Sequence, residues 1–270
     1  MSLHTYSNLV EGFVVKRPSR YVKSPYVADV LIHDNSSINP INTTLCHAPS
    51  LGCSGMVNAG ANVILEKIYD GNEEKKCVYK IIYVKHQNVI IGTNPYISNK
   101  LVFNMINNNM IPNLTGFDEE SNYLKSEKKV GDSRIDIYGE KYVNGITEKY
   151  YIEIKTSPVK LQDTDISIFP EGYRKSKKHS ISERANKHLQ ELVKLKKSSK
   201  HTYCYIIFVV PRNDCNFLQP NKNDVEYCRC FLEAIKNGVK ILALSTFMED
   251  NAIKFGKFLK VKFPFTIKNK

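Results

Sequence analysis

The chain has 270 residues, 42% of them hydrophobic and 24% charged, which describes ordinary globular material large enough for two domains and excludes general disorder. Lys and Arg number 39 against 27 Asp and Glu, a formal net charge of +12 with an isoelectric point near 9.2, so a polyanionic partner such as nucleic acid is expected, with plain solubility as the alternative origin of the charge. Seven scattered cysteines form no disulfide framework, and Cys46, His47 and Cys53 lack the second ligand pair a zinc site needs.

The first residues show no apolar core followed by a small-residue cleavage site, and the longest apolar run, Tyr203 to Val210, is strand-sized rather than membrane-sized. A cytoplasmic setting is the expectation. The first twenty residues, basic with Glu11 as their one acid, are also compatible with an organellar address, and Arg174-Lys175-Ser176-Lys177-Lys178 with a nuclear one.

Residues 1–92 read as a succession of short strands: Leu9 to Lys16, Tyr26 to His33, Ile41 to Cys46, Asn62 to Tyr69, Val78 to Lys85 and Asn88 to Ile91. Turn signals such as Asp34-Asn35-Ser36 and Asp70-Gly71-Asn72 separate them, and the spacing predicts a small all-β barrel. Arg17, Arg20 and Lys23 cluster with Tyr21 and Tyr26, a mixture of cations and aromatic rings suited to single strands, or equally a solvated loop beside two core-edge tyrosines.

From residue 93 the pattern changes to that of an α/β domain running to residue 270. Tyr96 to Ile111 carries Leu101, Val102, Met105 and Ile106 at helical spacing, with Asn107-Asn108-Asn109 a poor helix interior. The stretch Ser133 to Thr156 then reads as a hairpin. Ile135 and Ile137 alternate with Arg134, Asp136 and Tyr138, and Ile152 and Ile154 alternate with Tyr151, Glu153 and Lys155, around Asn144-Gly145, a pair that accepts the positive φ of a two-residue turn. That turn places Asp136 opposite Glu153, with Cβ atoms about 5 Å apart. Like charges so close repel, and a shared hard cation, Mg²⁺ or Mn²⁺, would offset the cost. Lys155, on the same side, could orient a water or stabilise charge developing on a phosphate. By spacing alone, an exposed sheet face made soluble by these residues fits as well.

Beyond the hairpin, Leu161 to Pro170 reads as a connection. Ser180 and Glu183 suggest a capping box, and Ala185, Leu189, Leu192 and Val193 form one helical face. Between Arg174 and Lys200 there are ten Lys or Arg and two acids, so this stretch carries most of the net charge. Lys178, Arg184, Lys187 and His188 are candidate contacts to a nucleic-acid backbone, although His188 as a general base is less favoured than His188 as a structural residue. Thr202 to Pro211 reads as a strand buried on both faces, Asp224 to Asn237 as an amphipathic helix closed by Gly238, Val239 to Leu244 as a second buried strand and Phe255 to Ile267 as a closing strand.

Ser133-Arg134-Ile135-Asp136, Tyr151-Ile152-Glu153-Ile154-Lys155, Phe169-Pro170 and Ser182-Glu183-Arg184 followed by Lys187-His188-Leu189 together resemble the sugar fermentation stimulation protein family, whose core is similar to the PD-(D/E)XK nuclease fold. Arg20-Tyr21, Ala28-Asp29-Val30 and the His47 to Gly52 segment resemble further family segments, with Ser50 standing where the family has Asn. In the helical segment Ser182 and Ala185 replace Thr and Gly. The resemblance implies an OB-like barrel over residues 1–92 and a restriction-endonuclease-like α/β domain over 93–270. It also implies a Mg²⁺- or Mn²⁺-dependent nuclease in which Asp136, Glu153 and the carbonyl of Ile154 are ligands, Lys155 acts in catalysis, and Glu127 supplies a third carboxylate. The rival expectation is a non-catalytic DNA-binding regulatory protein.

Overall fold

The computed structural model describes residues 2–33, 43–50, 55–68, 76–131, 133–172 and 181–263. The chain forms two compact units, one of residues 1–96, 211–214 and 246–256, the other of residues 97–210, 215–245 and 257–270.

In the first unit, the strands are β1 (Ser2–Thr5), β2 (Leu9–Lys16), β3 (Val27–His33), β4 (Thr43–His47), β5 (Asn62–Lys67), β6 (Tyr79–His86) and β7 (Val89–Gly92). They pair in the order β4-β3-β2-β5-β6-β7, and β4 also pairs with β6, so β2 to β6 close on themselves as an OB-like barrel. The alternation seen in sequence fills it: Val14, Val30, Val63, Leu65, Ile81 and Val84 are buried together inside. Gly12 is needed there, because a Cβ at that position would lie 2.7 Å from Val30 and 2.8 Å from the Leu31 carbonyl. Strand β1 was not anticipated from the sequence. It is short and lacks alternating large apolar residues, and it gains its order by antiparallel pairing with residues 252–254. The expected turn at Asp70-Gly71-Asn72, all but the first residue of the turn at residues 33–37, and Cys53 lie outside the described residues.

In the second unit, α1 (Tyr96–Asn107) is followed by β8 (Tyr123–Val130), β9 (Ser133–Val143), β10 (Ile146–Thr156) and β11 (Ile166–Phe169). Then come α2 (Glu183–Ser198), β12 (Thr202–Val210), β13 (Phe217–Pro220), α3 (Val225–Lys236), β14 (Lys240–Glu249), whose last residues belong to the first unit, β15 (Ala252–Phe258), most of which also belongs to the first unit, and β16 (Lys260–Val261). Helix α1 ends at Asn107 rather than Ile111. Asn109 takes a left-handed φ of 55°, and the amides of Asn109 and Met110 bond back to Ile106 and Met105, which closes the helix end.

Strands lie in the order β14-β12-β10-β9-β8, with β10, β12 and β14 mutually parallel, as alternating helices and strands require, and β8, β9 and β10 antiparallel. Ile206, Phe208, Ala185, Leu189, Tyr227 and Phe231 share one core between this sheet and helices α2 and α3.

The segment expected as a plain connection between Leu161 and Pro170 contains β11, which joins β13 and β16 in a small parallel sheet. Four-residue strands carry too little alternation to be read alone. Helix α2 is capped by Ser182, whose side chain accepts from the Ala185 amide, rather than by Ser180, which lies outside the described residues. Asp224 caps α3 through the Tyr227 amide and accepts the Ile181 amide at 2.6 Å, tying the entry of α2 to that of α3.

Gly139 in β9 lets the Phe117 ring approach the strand closely, since a Cβ there would sit 2.4 Å from the ring. Gly139→Ala is therefore expected to destabilise the second unit by about 1–3 kcal/mol through overpacking, read as a lowered midpoint in urea unfolding.

Candidate metal centre

Strand β10 enters the core as a run of buried residues, Ile152 to Ile154, between β9 and β12. Its pairing with β9 runs from Val143 opposite Ile146 to Ile137 opposite Ile152, the register that an Asn144-Gly145 turn dictates; both turn residues have positive φ, 49° and 81°. The ladder stops one pair short of Asp136 and Glu153. There the Asp136 carboxylate replaces the neighbouring strand as acceptor: its Oδ2 receives the Ile154 amide at 2.7 Å, and its Oδ1 receives Asn99 Nδ2 from helix α1 at 2.9 Å.

The pairing of β8 with β9 also omits this level. Ser126 faces Ile137 and Lys128 faces Ile135, while Glu127, between them, has a φ of 54° in the left-handed region. Such a φ is uncommon for a residue with a side chain and marks a local break in the strand. It reverses the alternation of β8 and β9, so that Ile135 joins the core beneath α2 whereas Ile137 faces the other way.

Glu153 is 1% exposed. Its Oε1 accepts Lys155 Nζ at 2.6 Å and contacts His188 Nδ1, while Lys155 Nζ lies 3.0 Å from the same ring nitrogen. That nitrogen can donate to Glu153 or accept from Lys155, but one atom cannot do both. Burial acts to raise the Glu153 pKa, yet His188 and Lys155 outweigh it and hold the group below the usual carboxylate range. Asp136 moves the other way, raised by burial and by the neighbouring Glu153 charge in spite of the Ile154 amide, Lys155 and Asn99. Two adjacent carboxyls thus have their affinities for protons driven apart.

The second Glu153 oxygen, Oε2, is buried without a hydrogen-bond partner. An ionised oxygen in that position is costly unless something positive meets it. Among the described residues, no group of three His, Cys, Asp or Glu side chains is arranged to hold a metal. A Mg²⁺-type ion does not require one, because it is commonly bound through one or two carboxylates and keeps several waters. Asp136 and Glu153 fit such an ion, and the open Oε2 is the atom that argues for it.

The remaining sequence candidates fall in several places. Glu127 occupies the level of Asp136, but its Oε2 accepts Arg134 Nη1 at 2.8 Å and both side chains are exposed. His188 is buried on Glu153, whereas Arg184 and Lys187 are exposed on α2, with Lys187 3.7 Å from Glu191. Lys178 lies outside the described residues. In the first unit, Arg17 is spent on carbonyl groups, with Nε on Pro25 at 3.0 Å, Nη1 on Val57 at 3.4 Å and Nη2 on Pro25 and Ser50. Arg20 lies over the Tyr21 ring at 5.7 Å and reaches Asp29 at 3.3 Å, and Tyr21 is 68% exposed. Sequence reasoning missed Asn99 and the contact of His188 with Glu153. A single Asn on a helix carries no signal, but a His one residue before a buried Leu on a helix packed over the sheet does.

A mixed α/β chain with a closed five-strand barrel and a sheet that carries paired carboxylates defines the class. The model of the sugar fermentation stimulation protein RE domain matches residues 96–252, more than half of the chain, and the chain belongs to that family. It is 27% identical over 259 residues to a sugar fermentation stimulation protein homolog of Desulfitobacterium hafniense, covering 95% of this chain and 97% of that one. A homolog of Alkaliphilus oremlandii is 27% identical over 260 residues, with 96% and 98% covered. The solved structure of Pyrococcus furiosus SfsA in complex with Ca²⁺ superposes with a TM-score of 0.74 at 20% identity, covering 97% of this chain and 99% of that one, and so shares the fold. Among the described residues, no helix is long and apolar enough to cross a membrane.

Asp29 gives a pH prediction. It is fully buried, and although burial raises its pKa, hydrogen bonds from the Ser19 hydroxyl and from Arg20 outweigh that and lower it. A lowered folded-state pKa contributes stability above the unfolded value and loses it as pH falls through the folded value. Asp29→Ala should therefore lower the Tm of the barrel at pH 7, and the gap from the natural protein should close as pH drops below the ordinary value of 3.8, followed by calorimetry across pH.

Proposed function

We propose that the protein is a Mg²⁺- or Mn²⁺-dependent nuclease that hydrolyses phosphodiester bonds in nucleic acid. The observation that carries this reading is the buried Glu153 carboxylate, neighbour to Asp136, with one oxygen on Lys155 and His188 and the other without a hydrogen-bond partner. A hard cation bound to Asp136, Glu153 and the carbonyl of Ile154 would supply an activated water and neutralise charge on the phosphate. Family membership supports the reading through the restriction-endonuclease-like domain, and the Ca²⁺ in the Pyrococcus furiosus structure supports a divalent ion.

The chain's own residues have distinct tasks. Lys155, 14% exposed at its side chain, holds an ammonium group at the edge of the site, where it stabilises the charge that gathers on the phosphate oxygens. His188 fixes the Glu153 and Lys155 side chains by touching both. Asn99 and the Ile154 amide fix Asp136. Glu127 supplies a further carboxylate at the same level once released from Arg134. In the second unit Arg184 and Lys187 on α2, with Lys178, meet nucleic-acid phosphates, and in the first unit Arg20 and Tyr21 form a set of contacts of their own; both sets weaken with salt.

The test is cleavage of end-labelled single- and double-stranded DNA and RNA with Mg²⁺, Mn²⁺ or chelator. Cleavage is expected only with metal and should vanish in Glu153→Gln, whereas Lys155→Ala should lower the rate about 100- to 1,000-fold. Mn²⁺ should raise the Tm of the natural protein and leave that of Glu153→Gln unmoved. Binding that survives chelation, with no product under any metal, would instead identify a non-catalytic nucleic-acid-binding protein.

A further inference from the structure

The α2 side of the sheet, at its three-stranded end, carries residues that the proposed site does not use. Pairing registers put them in rows. Lys125, Tyr138 and Tyr151 stand side by side on β8, β9 and β10, and Tyr123, Glu140 and Lys149 form the next row out. Tyr142, two residues beyond Glu140, falls on the same side near the hairpin turn. One row inward, at the break in the ladder, is the level of Glu127, Asp136 and Glu153. The two paired rows therefore lie between that interrupted level and the tip of the hairpin.

Its chemistry alternates cations with rings. Lys128 Nζ lies 3.2 Å from the centre of the Tyr138 ring, and Tyr138 packs on Tyr151 at 5.1 Å, so Tyr138 is a buried floor rather than a contact. Lys125 Nζ lies 6.0 Å from the centre of the Tyr123 ring. Tyr123 and Tyr142 are 47% and 62% exposed, unusual for large rings on a sheet with a core of its own. Among the described residues, none of Lys125, Lys128 and Lys149 is in an ion pair. Glu140 is the one acid in these two rows. Three ammonium groups that crowd one another around a single carboxylate favour an incoming anion.

We propose that this β8–β10 face binds single-stranded nucleic acid, with Tyr123 and Tyr142 stacking on unpaired bases and Lys125, Lys128 and Lys149 meeting the phosphates. Charge selects a polyanion, and exposed rings select one whose bases are free, because bases paired in a duplex do not present their faces. A second copy of the chain fits less well, since its face would bring the same lysines against these. The inference rests on the nucleic-acid part of the proposed function and not on cleavage.

The test uses the full-length protein with a fluorescein-labelled oligonucleotide, single-stranded or annealed to its complement, in chelator, so that binding is read by anisotropy without turnover. Tyr123→Ala with Tyr142→Ala is expected to weaken single-strand binding about 10-fold or more and leave duplex binding unchanged. Lys125→Ala with Lys149→Ala should weaken both and make the single-strand salt dependence shallower by about 1.4 in log–log slope. A tyrosine variant that keeps its melting temperature and binds single strands as the natural protein does would overturn the proposal. So would a change in sedimentation showing that the rings hold two copies together. If the natural protein binds neither oligonucleotide, the nucleic-acid reading falls with it; if it binds and the variants match it, only this face is wrong.

Discussion

The constraint on which the second unit turns is the charge of Glu153 inside the sheet. A carboxylate taken out of water costs several kcal/mol unless it is met by opposite charge and hydrogen bonds. Here β10 and α2 converge to meet it: Lys155 comes from two residues along the same strand, and His188 from the buried side of a helix that the capping of Ser182 and Asp224 fixes in place. The compensation covers one oxygen and leaves the other open. A purely structural ion pair would gain from satisfying both, so the incomplete arrangement points toward a ligand rather than toward stability.

Asp136 reaches the same place by a different route. It takes over the role of a strand neighbour by accepting the Ile154 amide, which is possible only because the pairing on either side of it stops. The left-handed Glu127 is the counterpart of that interruption on β8, and backbone strain of this kind costs about 1–3 kcal/mol. The break also places Ile135 and Lys128 toward α2 and keeps Tyr138 and Tyr151 on the side of the carboxylates. One irregularity thus sets both the carboxylate level and the composition of the face beyond it.

Much of this was legible in the chain. Asn144-Gly145 determines a hairpin register because only a short list of turns joins two strands through two residues, and β9 and β10 follow it up to Ile152. The barrel strands were legible because apolar alternation is the direct consequence of filling a closed sheet. What was not legible depends on partners far away in sequence. Nothing around Asn99 announces that α1 will set its amide on Asp136. His188 read as part of a basic ridge because Arg184 and Lys187 surround it, yet a helix that packs Ala185 and Leu189 on a sheet must also turn the residue before Leu189 partly inward. Strands β11 and β13 are held by parallel pairing with each other, a non-local effect that four residues cannot signal.

A strongly basic protein that buries two acids side by side has opposed electrostatics: the lysines of α2 and of the β8–β10 face attract a polyanion, and the carboxylates repel it at the place where they stand. Lys155 is committed to Glu153 and His188, so it does not by itself reverse the local sign. On the proposed reading a divalent cation reverses it, and the affinities of cation and nucleic acid are then coupled, each favouring the other, because the phosphate adds oxygen ligands and the metal removes the repulsion. This coupling separates the nuclease from the binding module in physical terms. A binding module gains nothing from burying Asp136 and Glu153 together beside its ligand, whereas a metal-dependent hydrolase uses the carboxylate pair that the cation makes tolerable.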